Sequence, residues 1–61
     1  MDKYGGMTVN ERLWVSGLMD RFDLAVEKKD VNLLKTILKE VELSESNINA
    51  ILEHLGLIKK D

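Results

Sequence analysis

Three carboxylates on one predicted helix face are the clearest cluster of groups that could do chemistry. Asp20, Asp23 and Glu27 recur at spacings of three and four, which places them on the same side of a helix. Aligned carboxylates could hold a cation or meet a basic partner. The alternative is a solvated helix face, with Arg12 and Lys28 nearby to offset the repulsion. No aspartate-rich loop with a central glycine occurs, which excludes an EF-hand calcium site.

The other residue types that carry catalysis or metal binding stand alone. His54 is the only histidine, and its neighbour Glu53 falls on another side of the helix, so no His/Glu pair is encoded locally. Cysteine is absent, which excludes thiol catalysis, zinc–thiolate sites and disulfides. Ser16, Ser44 and Ser46 have no nearby base, and no glycine-rich phosphate loop occurs. We therefore predict that the protein is not an enzyme and holds no metal or cofactor.

Length and composition indicate one small folded domain. The chain has 61 residues, of which 44% are hydrophobic and 33% charged, a balance too apolar for a disordered chain. Its net charge of −2 gives no general attraction to phosphate backbones. No apolar run reaches the roughly 18 residues of a membrane span, and "MDKYGG" lacks the apolar stretch of a signal peptide. We expect a cytoplasmic protein without membrane contact.

Helical spacing dominates the chain and predicts three amphipathic helices. Short loops between them favour an all-α fold, a small antiparallel three-helix bundle. The predicted helices span about 8–28, 31–42 and 45–55. The predicted domain is 8–58, with 1–7 as a flexible lead-in and 59–61 as a solvated tail.

Capping residues set the predicted helix ends. Thr8 and Glu11 fit a capping box at the first helix. Asp30 and Ser44 are good N-caps for the second and third helices, and Gly56 stands where the third would end in the left-handed conformation. The predicted buried stripes are Val15, Leu18, Met19, Phe22, Ala25 and Val26 in the first helix, Val31, Leu34, Ile37, Leu38 and Val41 in the second, and Ile48, Ile51, Leu52 and Leu55 in the third.

A second apolar side of the first predicted helix is the candidate binding surface. Leu13, Gly17 and Leu24 lie apart from the main stripe, with Trp14 on the opposite flank. Gly17 inside a helix costs on the order of 1 kcal/mol relative to alanine, which a closely approaching neighbour would explain. Either both sides of this helix are core, or the second side binds another protein or a second copy. The latter predicts an interface of Leu13, Trp14, Gly17, Arg21 and Leu24.

Nucleic-acid binding is the alternative function. A small transcriptional or phage-type regulator would contact nucleic acid directly or within a complex. Four of the nine basic residues lie in the pairs 28–29 and 59–60, at helix ends and not along a recognition helix. The sequence therefore favours a non-catalytic protein–protein interaction module with no small-molecule substrate.

The segment from Met7 to about residue 50 resembles a group of short bacterial helical proteins. These carry "VNERL" near their start, then "GLM" or "GLI", then "FD" and an alanine. The resemblance implies a bacterial or phage source and carries no activity with it. The matching residues are Val9, Asn10, Glu11, Arg12, Leu13, Gly17, Leu18, Met19, Phe22, Asp23 and Ala25.

Overall fold

The computed structural model describes residues 3–59, and the regular secondary structure in this range is all α-helix, without a strand. Each helix packs on its neighbour in the chain: the first on the second, the second on the third and the third on the fourth. No helix within this range is long and apolar enough to cross a bilayer. The predicted all-α class is confirmed, but the range holds four helices and not three: α1 Val9–Ser16, α2 Met19–Lys28, α3 Val31–Glu40 and α4 Glu45–His54.

The long predicted helix 8–28 is wrong because Gly17 ends α1. Gly17 has a φ of +77°, in the left-handed region that disfavours side chains with a Cβ. Its amide donates to the Trp14 carbonyl at 3.2 Å, and the Leu18 amide donates to the Leu13 carbonyl at 3.0 Å. These two bonds form a Schellman motif. A Cβ at Gly17 would meet no atom within 4 Å, so its backbone conformation, and not a close neighbour, accounts for the glycine.

The other three helices end in the same motif. Gly56 follows α4 with a φ of +75°, as predicted, while Lys29 and Glu42 follow α2 and α3 with φ values of 57° and 63°. At each end the left-handed residue and the residue after it donate back into the last helical turn at 2.9–3.2 Å. At two of the four helix C-termini in residues 3–59, a non-glycine residue therefore adopts the left-handed conformation, which is energetically unfavourable for it.

We expect Lys29→Gly to be more stable than Lys29→Ala by about 1 kcal/mol, because glycine adopts the left-handed conformation without a Cβ penalty. Both substitutions remove the same exposed amine, so their difference isolates the backbone. Urea unfolding followed by circular dichroism measures it. Gly17→Ala is the reverse control. It introduces a Cβ at a left-handed position and should destabilise the protein by a similar amount. Equal urea midpoints for the two Lys29 variants would contradict a left-handed backbone conformation at residue 29.

Side-chain caps begin three of these helices at the predicted residues. The Thr8 hydroxyl accepts the Glu11 amide at 3.2 Å, and the Glu11 carboxylate accepts the Thr8 amide at 3.0 Å. That backbone hydrogen bond, with a smaller contribution from the Thr8 side chain, lowers the pKa of Glu11. Asp30 and Ser44 each accept the amide three residues on, at 3.1 and 3.2 Å. By contrast, the N-cap of α2 is Leu18, which makes no side-chain capping hydrogen bond.

The core draws on all four helices and largely follows the predicted stripes. Two predicted core residues, Val15 and Leu55, are instead exposed. Val15 is exposed because the break at Gly17 resets the helix phase and turns Leu13 inward in its place. Leu55 lies just past the end of α4, as its C-cap. The buried side chains in the described range are Tyr4, Leu13, Ala25, Leu34, Ile37, Leu38, Val41, Ile48 and Leu52.

The segment predicted as a lead-in contributes a residue to this core. Tyr4 is only 4% exposed. The Met7 amide donates to the Tyr4 carbonyl at 3.0 Å, and Gly6 supplies the positive φ of the turn between them. Tyr4 therefore packs into the core from within the predicted lead-in 1–7. Four residues of the predicted lead-in and tail lie outside the described range: Met1, Asp2, Lys60 and Asp61.

Candidate protein-interaction surface

The five predicted interface residues divide between core and surface. Leu13 is fully buried and belongs to the core, so its placement in an interface is corrected. Trp14, Gly17, Arg21 and Leu24 are all exposed. Gly17 divides the predicted helix into two shorter helices. As a result, Leu13 on α1 is buried in the core, while Leu24 on α2 is exposed.

Trp14 is the most exposed large hydrophobic side chain in the described range, at 77%. On α1, with about 100° between successive residues, it lies on the outward face, one turn after Asn10 and Glu11 and at an angle between theirs around the helix axis. Val15 is 55% exposed. An exposed tryptophan gains little from burial in the folded chain, and tryptophan is enriched at the energetic centres of protein interfaces.

The outward face of α2 has one apolar residue between two oppositely charged flanks. Leu24 lies at its centre and is 47% exposed. From Leu24, Lys28 and Arg21 lie about 40–60° around the helix to one side, and Asp20 and Glu27 lie at the same angles to the other. Asp23 lies further round on the acidic side. We call these the basic flank (Arg21, Lys28) and the acidic flank (Asp20, Asp23, Glu27).

None of the five charges on these flanks has an opposite charge within 4.0 Å among residues 3–59, where the only ion pair joins Lys39 and Glu45 at 4.0 Å. The spacing explains this, because three and four positions apart α2 pairs acid with acid and never acid with base. Like charges at such spacing destabilise a helix by roughly 0.2–0.5 kcal/mol per pair. The acidic flank therefore contains two like-charge neighbour pairs, Asp20–Asp23 and Asp23–Glu27, and residues 3–59 offer neither pair a direct ion pair with an opposite charge.

Arg12, which the sequence suggested as a neighbour of the acidic flank, has a different role. Its guanidinium donates to the Met7 carbonyl at 3.1 Å and to the Val41 and Glu42 carbonyls at 3.0 and 3.3 Å. It also lies 6.0 Å from the centre of the Tyr4 ring. A cation at the last carbonyls of α3 is favourable for the helix dipole. Arg12 thus joins the N-terminal turn, α1 and the end of α3.

A small depression beside Arg12 is lined by Tyr4, Gly5, Arg12 and Glu42. Its volume of about 70 Å³ is far below the several hundred cubic ångströms of typical ligand pockets. No group of three or more histidine, cysteine, aspartate or glutamate side chains within residues 3–59 is arranged to hold a metal ion. His54 is exposed at the last position of α4. The surface of α1 and α2 is therefore the strongest candidate for function.

Comparison with known proteins assigns no family. No protein-family model matches the chain, and no curated protein or solved structure matches it either. The resemblance to short bacterial helical proteins stays a prediction, and the function is argued from the residues of this chain.

Proposed function

We propose that this protein is a non-catalytic protein–protein interaction module that binds through the outward faces of α1 and α2. The contact residues are Trp14 and Val15 on α1 and Leu24 with Arg21 on α2. The observation that carries the proposal is the 77% exposure of the single tryptophan. Binding would consist of burying these side chains against a partner, with no covalent chemistry.

The energy available at Trp14 is large enough to matter. A tryptophan buries about 150–250 Å² on full burial, and removal of apolar surface from water is worth about 25 cal/mol per Å². Covering the exposed part of Trp14 therefore contributes about 3–5 kcal/mol before ordering costs. Micromolar affinity requires about 8 kcal/mol, so this one side chain can supply a large share.

Charge favours a protein over a nucleic acid as the partner. The chain carries a net charge of −2, and the exposed faces of α1 and α2 include Glu11 and the acidic flank. Such faces repel a phosphate backbone, which binds mainly through lysine and arginine contacts. We also propose the cytoplasm of a bacterium as the compartment, with which the absence of cysteine is compatible.

Site-specific photo-crosslinking in the producing cell tests this function. A photoreactive phenylalanine analogue replaces Trp14 in the full chain, and the matched control carries the same analogue at Asn49, an exposed position on α4. We expect a discrete adduct from position 14 and none from position 49. Excess unlabelled wild-type chain should suppress an adduct with a different protein, or should itself enter the adduct if the partner is a second copy. Excess Trp14→Ala chain should do either far less well, because it lacks the anchoring side chain.

Each other outcome decides against the proposal. No adduct at position 14, or an adduct that Trp14→Ala suppresses equally well, would overturn the interaction surface. An adduct with nucleic acid would replace it with the regulator alternative. In that case, duplex DNA binding should weaken steeply between two salt concentrations.

A further inference from the structure

We infer that the partner is a second copy of this chain, with the two α2 helices side by side and parallel about a two-fold axis that runs along them. The inference rests on the proposed function and names its partner. It follows from the charge layout of the α2 face. Leu24 of one copy would meet Leu24 of the other, and each basic flank would lie against the partner's acidic flank.

The α2 face is complementary to itself. Its basic flank carries two cations, its acidic flank carries three anions, and the apolar Leu24 lies between them. A face with both signs on opposite sides of a central apolar residue already holds the complement of each flank. A different protein would need its own face with a basic flank, a central apolar residue and an acidic flank to match both flanks equally well.

The charges also set the relative direction of the two helices. When two parallel helices face each other, the left flank of one lies against the right flank of the other, which brings acid against base. When the helices are antiparallel, each flank meets its own kind, which brings acid against acid. Like charges in direct opposition are unfavourable, so the parallel arrangement is selected.

The absence of intrachain pairing gives a second reason. The five flank charges have no opposite partner within 4.0 Å among residues 3–59. The like-charge spacing of Asp20, Asp23 and Glu27 therefore has no direct ion pair to offset it among these residues. A second copy supplies the missing cations through Arg21 and Lys28 without any further component.

The small size of the α2 face predicts a low affinity of self-association. A helix of ten residues is about 15 Å long, so a contact along α2 alone buries less than the roughly 800 Å² per partner of stable complexes. We therefore expect rapid, reversible association that is visible only at high protein concentration. Because exposed charge pairs are screened by ions, the association should weaken as salt is raised.

Charge-reversal variants measured by sedimentation equilibrium test the pairing. One variant, Arg21→Glu with Lys28→Glu, makes both flanks acidic. The other, Asp23→Lys with Glu27→Lys, makes the acidic flank largely basic and keeps Asp20, which suits the first turn of α2. We expect each variant alone to self-associate roughly tenfold more weakly than wild type or worse, because a two-fold contact repeats every reversed pair.

The decisive result is the mixture of the two variants. Equimolar mixing should restore association to about the wild-type level, because acidic flanks then face basic ones. Restoration also shows that both variants fold, and circular dichroism of each confirms it. A wild-type monomer at every concentration, a dimer indifferent to the reversals, or a mixture without restoration would each overturn the pairing. If Trp14 meanwhile cross-links saturably to a different protein, the proposed function stands and only this inference fails.

Discussion

Leu13→Ala is expected to lower the free energy of unfolding by about 2–5 kcal/mol, as large-to-small changes in a packed core do. Leu13 is fully buried on α1 and its carbonyl accepts the Leu18 amide in the motif that ends this helix. A single core of this size rarely supplies more than about 3–5 kcal/mol. The variant should therefore lose a large part of its stability and unfold at a much lower urea concentration than wild type.

Leu24→Ala is the matched control for this prediction. It makes the same substitution at a residue of α2 that is 47% exposed, and we expect it to change stability by less than about 0.5–1 kcal/mol. Urea unfolding of both variants, followed by circular dichroism, gives the comparison. Similar midpoints for the two variants would show that Leu13 and Leu24 share an environment, as the single-helix interpretation required, and would contradict the break at Gly17.

The break itself could have been found in the sequence. "LWVSGL" (13–18) and "LEHLGL" (52–57) both place a leucine four residues before a glycine and another directly after it. Both form Schellman motifs, in which the residues before and after the turn contact each other across it. The sequence predicts Gly56 correctly as a helix end. It does not predict the same for Gly17, because apolar residues continue beyond it at helical spacing and suggest one uninterrupted stripe.

Other features could not be predicted because their contacts join distant parts of the chain. Tyr4 lies in a turn with two glycines, where no periodic pattern marks a core residue. Arg12 bonds to carbonyls 29 and 30 residues away, and no local pattern identifies such a pair. Caps such as Thr8 and Ser44 were predicted correctly because the donor and acceptor lie three residues apart.

The candidate surface was predictable only in part, for the same reason. Trp14 and Leu24 are exposed, as the predicted interface requires, yet the sequence pattern places both on one continuous helix that does not exist. Helix geometry places Leu24 between the two charged flanks whether residues 19–28 form a helix of their own or the end of a longer one. The charge layout is thus present in the sequence, whereas the placement of Trp14 and Leu24 on separate helices is not.

Arg12→Ala is expected to lower the free energy of unfolding by about 2–3 kcal/mol, because hydrogen bonds from a charged donor are worth more than neutral ones. The carbonyls of Met7, Val41 and Glu42 would lose this donor. The effect should concentrate at the end of α3. Hydrogen exchange should therefore accelerate most at the amides of Val41 and Leu43, which donate into the last turn of that helix.

Arg12→Lys separates the charge of Arg12 from its geometry. Lysine keeps a cation near the end of α3 but lacks the planar fork that reaches several carbonyls at once. We expect it to recover less than half of the lost stability, with exchange at Val41 still faster than in wild type. The amide of Leu52 in α4 serves as the internal reference. Full recovery by lysine would show that charge at the helix end suffices, and an unchanged Arg12→Ala would show that the N-terminal turn and α3 are held together by packing around Tyr4 alone.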